Sequence, residues 1–187
     1  MKYLLKHGHL IVDGNKEYLD GAILIDGERI EDVYPQTNKL QDICSDYKVI
    51  DLQGKIVMPG FFDTHTHGLN MISFDKCNEK ELNKASLYMA KNGTTSFFTS
   101  IAYDLSKQEI LDQLKTYDNS DCEYARHLGV HMEGPFLSKK HSGMGDGTCF
   151  YEPDSMFLKD ILSSSKTLYS PQRFSSNNGL LLFKPST

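Results

Sequence analysis

The chain has 187 residues, of which 39% are hydrophobic and 24% are charged. This composition is typical of a folded globular protein and excludes collagen-like and low-complexity chains. The formal net charge of -5 leaves no basic excess that could neutralise a phosphate backbone, so nucleic acid is not an expected partner.

The start of the chain has no pattern of an export signal. The opening MKYLLKHGHL contains short apolar pieces interrupted by Lys, His and Gly, whereas a signal peptide has an uninterrupted apolar core. No stretch of the sequence approaches the ~20 apolar residues that span a bilayer. These patterns predict a cytoplasmic protein without a membrane partner.

Residues 1–57 alternate short apolar runs with turn signals. Two of these runs end at Asp13-Gly14 and Asp26-Gly27, and Asp-Gly between apolar runs favours a hairpin. The pattern predicts a small antiparallel β module. His7 and His9 share a face of its first strand, but no third ligand lies near them in sequence, so we interpret them as ordinary surface residues.

Residues 58–165 show a different pattern, in which strands alternate with amphipathic helices. Asn78 followed by Glu81 has the spacing of a capping box, and Ser106 followed by Glu109 repeats it. Strands are predicted at Phe61–Asp63, Thr94–Ile101 and Gly129–Glu133. Such alternation indicates βαβ units and a parallel sheet.

The number of these units is small. Three are visible, whereas a closed (β/α)8 barrel needs eight and typically ~250 residues, so the chain is either a smaller open sheet or an incomplete barrel. Beyond them, Ser163–Ser165 and Ser175–Asn178 favour loops, and the apolar run 180–183 has no partner element after it. Residues 166–187 are therefore predicted to be an irregular, aberrant tail.

The cysteines are spread widely along the sequence. They are Cys44, Cys77, Cys122 and Cys149. Because no pair has the Cys-x-x-Cys spacing, neither a structural zinc cluster nor a disulfide framework is indicated. Reduced thiols are the expectation.

Two histidines directly follow the first predicted strand of the α/β part. His65 and His67 should project from the same side, because side chains alternate along a strand. The carboxyl ends of parallel strands are where ligands and catalytic residues collect, and neutral imidazole is a common ligand of zinc. Asp63 lies on the same side by this spacing, so we expect it to orient one of the imidazoles.

Glu133 ends the third predicted strand. Gly134 allows a sharp turn there and Pro135 prevents the strand from continuing. The carboxylate should therefore face the same rim as His65 and His67, and the three residues form a candidate metal site. Taken alone, Glu133 is equally well explained as a solvated charge at a strand end.

A glycine-rich loop follows this rim. Its amides at Gly143 and Met144 are candidates for binding a substrate oxygen, although a plain flexible loop has the same composition. The basic cluster Lys139-Lys140-His141 is suited to attracting phosphate, and a solvated surface run is the alternative interpretation.

Three of these segments, in this order, resemble the N-acetylglucosamine-6-phosphate deacetylases of the amidohydrolase superfamily. They are VMPGFFDTHTHG at 57–68, NGTTSFFTS at 92–100 and GVHMEGPFLSKK at 129–140. The last is the most specific, since His-x-His after a Pro-Gly-Phe segment occurs across many amidohydrolases. The resemblance covers residues 1 to about 145.

The resemblance implies an α/β fold, an incomplete (β/α)8 barrel preceded by a small β-sandwich-like module that is completed by strands from a later part of the chain. It also implies that Glu133 binds the main catalytic metal and that His65 and His67 bind a second metal in members that keep them. Zinc is the expected ion, with iron, manganese or cobalt as alternatives. Two further histidines and a catalytic aspartate belong to later strands, so no catalytic general base is assigned in this chain.

The same resemblance implies a substrate and a partner. Hydrolysis of N-acetylglucosamine 6-phosphate would give acetate and glucosamine 6-phosphate, with the main-chain amide at Met144, beside Gly143, contacting the sugar phosphate. The family's Gly-Ala-His segment is Gly143-Met144-Gly145 here, which puts any role of a histidine side chain there in doubt. A homodimer is implied for the full-length family.

Two other functions remain open on the sequence. One is a different amidohydrolase, such as a cyclic amidase or a dihydroorotase-like enzyme, which shares His-x-His but for which Glu-Gly-Pro is not expected. The other is a truncated or frameshifted product without catalytic activity. For the preferred function, deacetylation, we expect the isolated chain to be inactive.

Overall fold

The computed structural model describes residues 1–40, 46–101, 104–137, 151–165 and 168–169. The chain divides into two compact units between Pro59 and Gly60. Within the described ranges, no helix is long and apolar enough to cross a membrane.

The first unit is built on a five-stranded sheet. Its strands are β1 (Lys2–Asp13), β2 (Lys16–Asp26), β3 (Arg29–Tyr34), β4 (Lys48–Asp51) and β5 (Ile56–Val57). The order is β3-β2-β1-β4, and β5 also pairs with β1. Leu4, Ala22, Leu24 and Leu40 form its buried apolar cluster.

The sheet of the first unit is mixed, so the prediction of an antiparallel module is wrong in part. β1 and β2, and β2 and β3, pair antiparallel through the two predicted Asp-Gly turns. β4 and β5 instead run parallel to β1. A local turn signal fixes a hairpin, but nothing in the local sequence encodes a pairing between strands that are distant along the chain.

His7 and His9 are each paired with an acid on the neighbouring strand. His7 Nδ1 lies 2.9 Å from Asp20 Oδ1, and His9 Nε2 lies 2.8 Å from Glu17 Oε2. Ion pairs at partly exposed positions contribute little to stability. These contacts give the two histidines local partners on the sheet of the first unit.

The second unit has alternating strands and helices. In chain order they are β6 (Phe61–Thr66), β7 (Gly68–Leu69), β8 (Ile72–Ser73), α1 (Glu79–Lys91), β9 (Thr94–Ile101), α2 (Lys107–Asp118), β10 (Arg126–Met132), α3 (Ser155–Ser164) and β11 (Leu168–Tyr169). The sheet has the order β11-β10-β9-β6 with every pair parallel. The predicted parallel α/β arrangement is confirmed for these residues.

Both predicted helix starts are present as capping boxes. The Asn78 side chain accepts a hydrogen bond from the backbone of Glu81, whose carboxylate accepts one from the backbone of Asn78. Ser106 and Glu109 make the same reciprocal pair at α2. Each box gives partners to backbone N–H groups that a helix start would otherwise leave without one.

The apolar faces of the three helices pack on one side of the parallel sheet. The buried helix residues include Leu82, Ala85, Met89, Ile110, Leu114, Tyr117, Phe157 and Ile161, and the strand residues include Phe97, Ile101 and Val130. Full burial of one large apolar side chain stabilises a fold by about 1.5–3 kcal/mol. This core holds the strand ends that carry the candidate site.

The loop predicted around Ser163–Ser165 is largely helical. The Asp154 side chain caps the start of α3, and the hydroxyls of Ser163 and Ser164 donate to carbonyl groups one turn earlier in that helix. Serine favours loops because its hydroxyl can bond to the backbone, but within a helix the same hydroxyl can bond the i-4 carbonyl.

Candidate metal centre

Two imidazole rings converge at the carboxyl end of β6. His65 Nε2 lies 3.0 Å from His67 Nε2, and their ring centroids are 5.1 Å apart. The pairing of β6 with β9 shifts register between Asp63 and Thr66. The two histidines nevertheless project to the same side, as strand alternation predicts.

Glu133 meets these imidazoles from the end of β10. Its backbone N–H donates to the carbonyl of Ile101, so the pairing with β9 also fixes the residue after the strand. Glu133 Oε2 lies 2.8 Å from His67 Nε2 and 3.3 Å from His65 Nε2. The following Gly134 has a φ of 111°, a conformation that favours glycine and turns the chain away from the sheet.

The three residues fit a divalent cation by both chemistry and spacing. In a tetrahedral zinc site with bonds of about 2.0–2.2 Å, ligand atoms lie roughly 3.3–3.6 Å from one another. The three atoms here are 2.8–3.3 Å apart, so movements of a few tenths of an ångström suffice. Within the described residues this is the one group of three or more His, Cys, Asp or Glu side chains with such proximity.

The candidate ligands are reachable from solvent. Their side chains are 49% exposed for His65, 39% for His67 and 36% for Glu133. A fully buried carboxylate would need compensating partners, whereas these groups can admit an ion and a substrate. Two imidazoles and one carboxylate are also a common ligand set for zinc and iron.

Asp63 contacts the backbone of His65 and not its ring. The carboxylate Oδ1 accepts a hydrogen bond of 3.1 Å from the His65 N–H. We expected Asp63 to orient one of the imidazoles; among the described residues its carboxylate contacts the backbone of His65 and no ring nitrogen. The short side chain bonds two residues ahead along its own strand, as Asp commonly does where a strand becomes irregular.

His131 is a site residue that sequence reasoning missed. It lies on β10, two residues before Glu133, and is 5% exposed. Its Nδ1 lies 3.0 Å from Ser100 Oγ, and its ring centroid is 4.4 Å from that of His65. Burial, with a smaller contribution from the neighbouring His65, lowers the pKa of His131 to about 4. The period-two spacing from Glu133 was a signal that could have identified it.

The predicted substrate loop cannot be placed in this site. Gly143, Met144 and the basic cluster 139–141 lie outside the described residues. Among the cysteines, Cys44 and Cys149 also lie outside them, while Cys77 and Cys122 are free thiols. Burial raises the pKa of both of these thiols, which disfavours the reactive thiolate.

Known proteins similar to this chain include deacetylases and other hydrolases. No protein-family model matches the chain. It is 29% identical over 171 residues to an N-acetylglucosamine-6-phosphate deacetylase of Haemophilus influenzae, covering 89% of this chain and 42% of that protein. It is 45% identical over 69 residues to a dihydroorotase of Elusimicrobium minutum, covering 36% of this chain and 14% of that protein.

A solved structure shows the same fold. The N-acetylglucosamine-6-phosphate deacetylase of Pasteurella multocida aligns with a TM-score of 0.77 at 21% identity, over 90% of this chain and 43% of that one. The chain therefore spans less than half the length of the deacetylases it matches. It resembles part of an N-acetylglucosamine-6-phosphate deacetylase in sequence and in fold.

Proposed function

We propose that this chain is the metal-binding part of a hydrolase that removes the acetyl group from N-acetylglucosamine 6-phosphate. The convergence of Glu133 with His65 and His67 at the carboxyl ends of two parallel strands carries the proposal. The similarity to the Haemophilus deacetylase over 89% of the chain selects the substrate. The products would be acetate and glucosamine 6-phosphate.

The proposal includes the architecture around the site. The strands and helices of residues 58–165 would be the first units of a (β/α)8 barrel, and residues 1–57 a β-sandwich-like module. The expectation of an irregular tail at 166–187 is wrong for Leu168–Tyr169, which pair parallel with β10 as β11. β10, β9 and β6 run parallel in the sheet. This supports the barrel, because the strands of such a barrel are parallel and the active site lies at their carboxyl ends.

His65, His67 and Glu133 would hold a divalent cation, with zinc as the first choice and iron, manganese or cobalt as alternatives. Such an ion polarises an amide carbonyl and lowers the pKa of a water molecule. The role of the chain is to hold three donor atoms together at an open rim, with Asp63 fixing the backbone that carries His65. The amide at Met144, beside Gly143, would orient the sugar phosphate.

The remaining proposed properties follow from the resemblance. The substrate partner would be a small sugar phosphate, and the full-length protein would be a homodimer. A cytoplasmic location is proposed separately, from the apolar pattern of the sequence. The resemblance assigns the general base to an aspartate on a later strand, so the isolated 187-residue chain is expected to lack activity. Release of acetate by this chain alone, abolished by a chelator, would contradict that expectation.

Metal binding by the purified chain tests the site separately from the reaction. Equilibrium dialysis against Zn²⁺ should give about one bound ion per chain, and Glu133→Gln should abolish it because a neutral amide is a poor zinc ligand. Glu123→Gln is the matched control, since Glu123 is an exposed glutamate that precedes the start of β10, whereas Glu133 follows its end. Equal binding by both variants would contradict the assignment of Glu133.

A chimera tests the reaction. This chain would replace the matched 171-residue segment of the Haemophilus deacetylase, and acetate released from N-acetylglucosamine 6-phosphate would be measured. We expect activity that falls at least about a hundredfold with Glu133→Gln, because polarisation by a metal supplies several kcal/mol, and that survives Glu123→Gln. A folded, metal-loaded chimera without this activity would contradict the substrate assignment.

A cyclic amidase is the second candidate, favoured by the 45% identity to a dihydroorotase over 69 residues. The same chimera incubated with dihydroorotate separates the two, since hydrolysis of that ring in place of the acetamide would favour this candidate.

The remaining alternative is a chain without any catalytic role, and limited proteolysis tests it. A protected core through residue 187 would argue against an unfinished fold.

A further inference from the structure

A serine separates two histidines in the sheet beneath the candidate metal centre. β9 lies between β10 and β6, and Ser100 of β9 is paired in register with His131 of β10. His65 lies on β6, on the other side of β9. The two histidine rings therefore belong to strands that are not neighbours.

The rings of His131 and His65 nevertheless touch. Adjacent strands are about 4.8 Å apart, so residues on β10 and β6 start about 10 Å apart. The observed distance between the two ring centroids is 4.4 Å, at an interplanar angle of 50°. Such contact across β9 is possible only if the side chains of β9 on that face leave room. Ser100, the β9 residue paired with His131, is small and fully buried.

Ser100 also fixes the ring of His131. Its hydroxyl lies 3.0 Å from His131 Nδ1, and a hydrogen bond to one ring nitrogen determines the ring's orientation and tautomer. His131 is buried, whereas nearly half of the His65 side chain is exposed. The buried ring of His131 is thus held in place, and the more exposed ring of His65 packs against it.

We propose that Ser100 and His131 are positioning residues that hold the His65 imidazole with its Nε2 directed at Glu133. The proposal rests on the metal site proposed above. Ser100 orients His131 by its hydroxyl and leaves the space through which His131 reaches His65. The His131 ring then restricts the rotamers of His65, so that less freedom is lost when all three ligands bind one ion.

The dissociation constant for Zn²⁺, measured by competition with a chromophoric chelator, tests this arrangement in the full chain. His131→Leu removes the flat ring at similar volume and should weaken binding about tenfold to a hundredfold, the usual effect of losing a supporting residue. His131→Phe keeps a ring against His65 but loses the bond to Ser100, so it should recover part of the affinity that His131→Leu loses. The absorption spectrum of bound Co²⁺ should differ between the Leu variant and the unchanged chain.

Ser100→Ala removes the hydroxyl and should also weaken binding. It should have no further effect in a His131→Phe chain, because the hydroxyl then has no ring nitrogen to bond, and such non-additivity identifies a pair that acts as a unit. Ser86→Ala is the matched control: Ser86 is a fully buried serine whose hydroxyl donates to a backbone carbonyl in α1. Its affinity should equal that of the unchanged chain.

The outcomes separate the positioning role from the metal site itself. If Glu133→Gln abolishes binding but Ser100→Ala and His131→Leu bind Zn²⁺ normally, the metal site stands and the positioning role is wrong. If the unchanged chain binds no metal, the site of the proposed function is wrong and this proposal is lost with it. Circular dichroism tests whether each variant keeps its fold. If His131→Leu does not fold, Ser100→Ala, the smallest change, tests the positioning role instead.

Discussion

His127 and His131 lie four residues apart on β10, yet they face opposite sides of the parallel sheet. His127 Nε2 lies 3.1 Å from the hydroxyl of Thr99, whereas His131 Nδ1 lies 3.0 Å from that of Ser100. Thr99 and Ser100 are consecutive on β9 and so point to opposite faces. An even spacing should keep both histidines on one face, but the pairing shifts register between His127 and Gly129. This bulge directs His131 to the candidate site.

Gly129 should be essential for this bulge. Its φ is 142°, a region that side-chain-bearing residues rarely adopt, so Gly129→Ala should lower the free energy of unfolding by about 1–3 kcal/mol. Urea unfolding measures the change. Gly14→Ala is the control, because an added Cβ there meets no atom within 4 Å, and it should be nearly neutral. Equal stability of both variants would mean that the bulge does not depend on glycine.

The stability of the chain should decrease as the pH falls from 6.5 toward 4, in part because of His127. Burial lowers the pKa of His127 from 6.5 to about 4. Above pH 6.5 the ring of His127 is mostly neutral in the folded and in the unfolded chain. Between pH 6.5 and pH 4 the unfolded chain binds a proton that the folded chain does not, so unfolding is favoured. Between about pH 7 and pH 5 this group should cost about 2 kcal/mol.

His127→Gln tests the pH dependence, since the amide keeps a polar group near Thr99 without titrating. Urea unfolding at pH 7 and at pH 5, with a chelator present, gives the change in the free energy of unfolding for each chain. The contributions of the other titrating groups cancel when the two changes are compared. The variant should lose about 2 kcal/mol less than the unchanged chain. The same loss in both chains would show that His127 does not remain neutral in the folded state.

The features that were predictable from the sequence depend on residues close together along the chain. The capping residues Asn78 and Ser106 lie three positions from their partners, and His65 and His67 are related by strand alternation alone. The face of His131 depends on a bulge, for which the glycine at 129 within a strand was a weak signal.

Other features depend on contacts between distant parts of the sequence. The parallel pairing of β4 with β1 and the contact of His131 with His65 across β9 arise only when strands assemble. The contact of Asp63 differed for another reason: its carboxylate accepts a hydrogen bond from the backbone N–H of His65. Local competition of this kind is common for Asp and cannot be separated from ligand orientation by spacing.

The capping boxes should contribute measurably to stability. Asn78→Ala and Ser106→Ala each remove the acceptor for a backbone N–H at the start of a helix, and each should lower the free energy of unfolding by about 1 kcal/mol. Thr116→Ala is the control on α2, because its hydroxyl bonds only to a carbonyl of the same helix. Alanine there should cost nothing, since it favours the helix. A loss with Thr116→Ala as large as with Ser106→Ala would contradict a specific capping effect.

Metal removal should lower the melting temperature of the chain. A cation held by His65, His67 and Glu133 ties the end of β6 to the end of β10, and an ion that binds only the folded state stabilises it by about 2.7 kcal/mol at a free concentration one hundred times its dissociation constant. Thermal unfolding with Zn²⁺ and with a chelator measures the shift. The shift should be absent in Glu133→Gln and present in Glu123→Gln. A shift of equal size in Glu133→Gln would place the stabilising ion elsewhere in the chain.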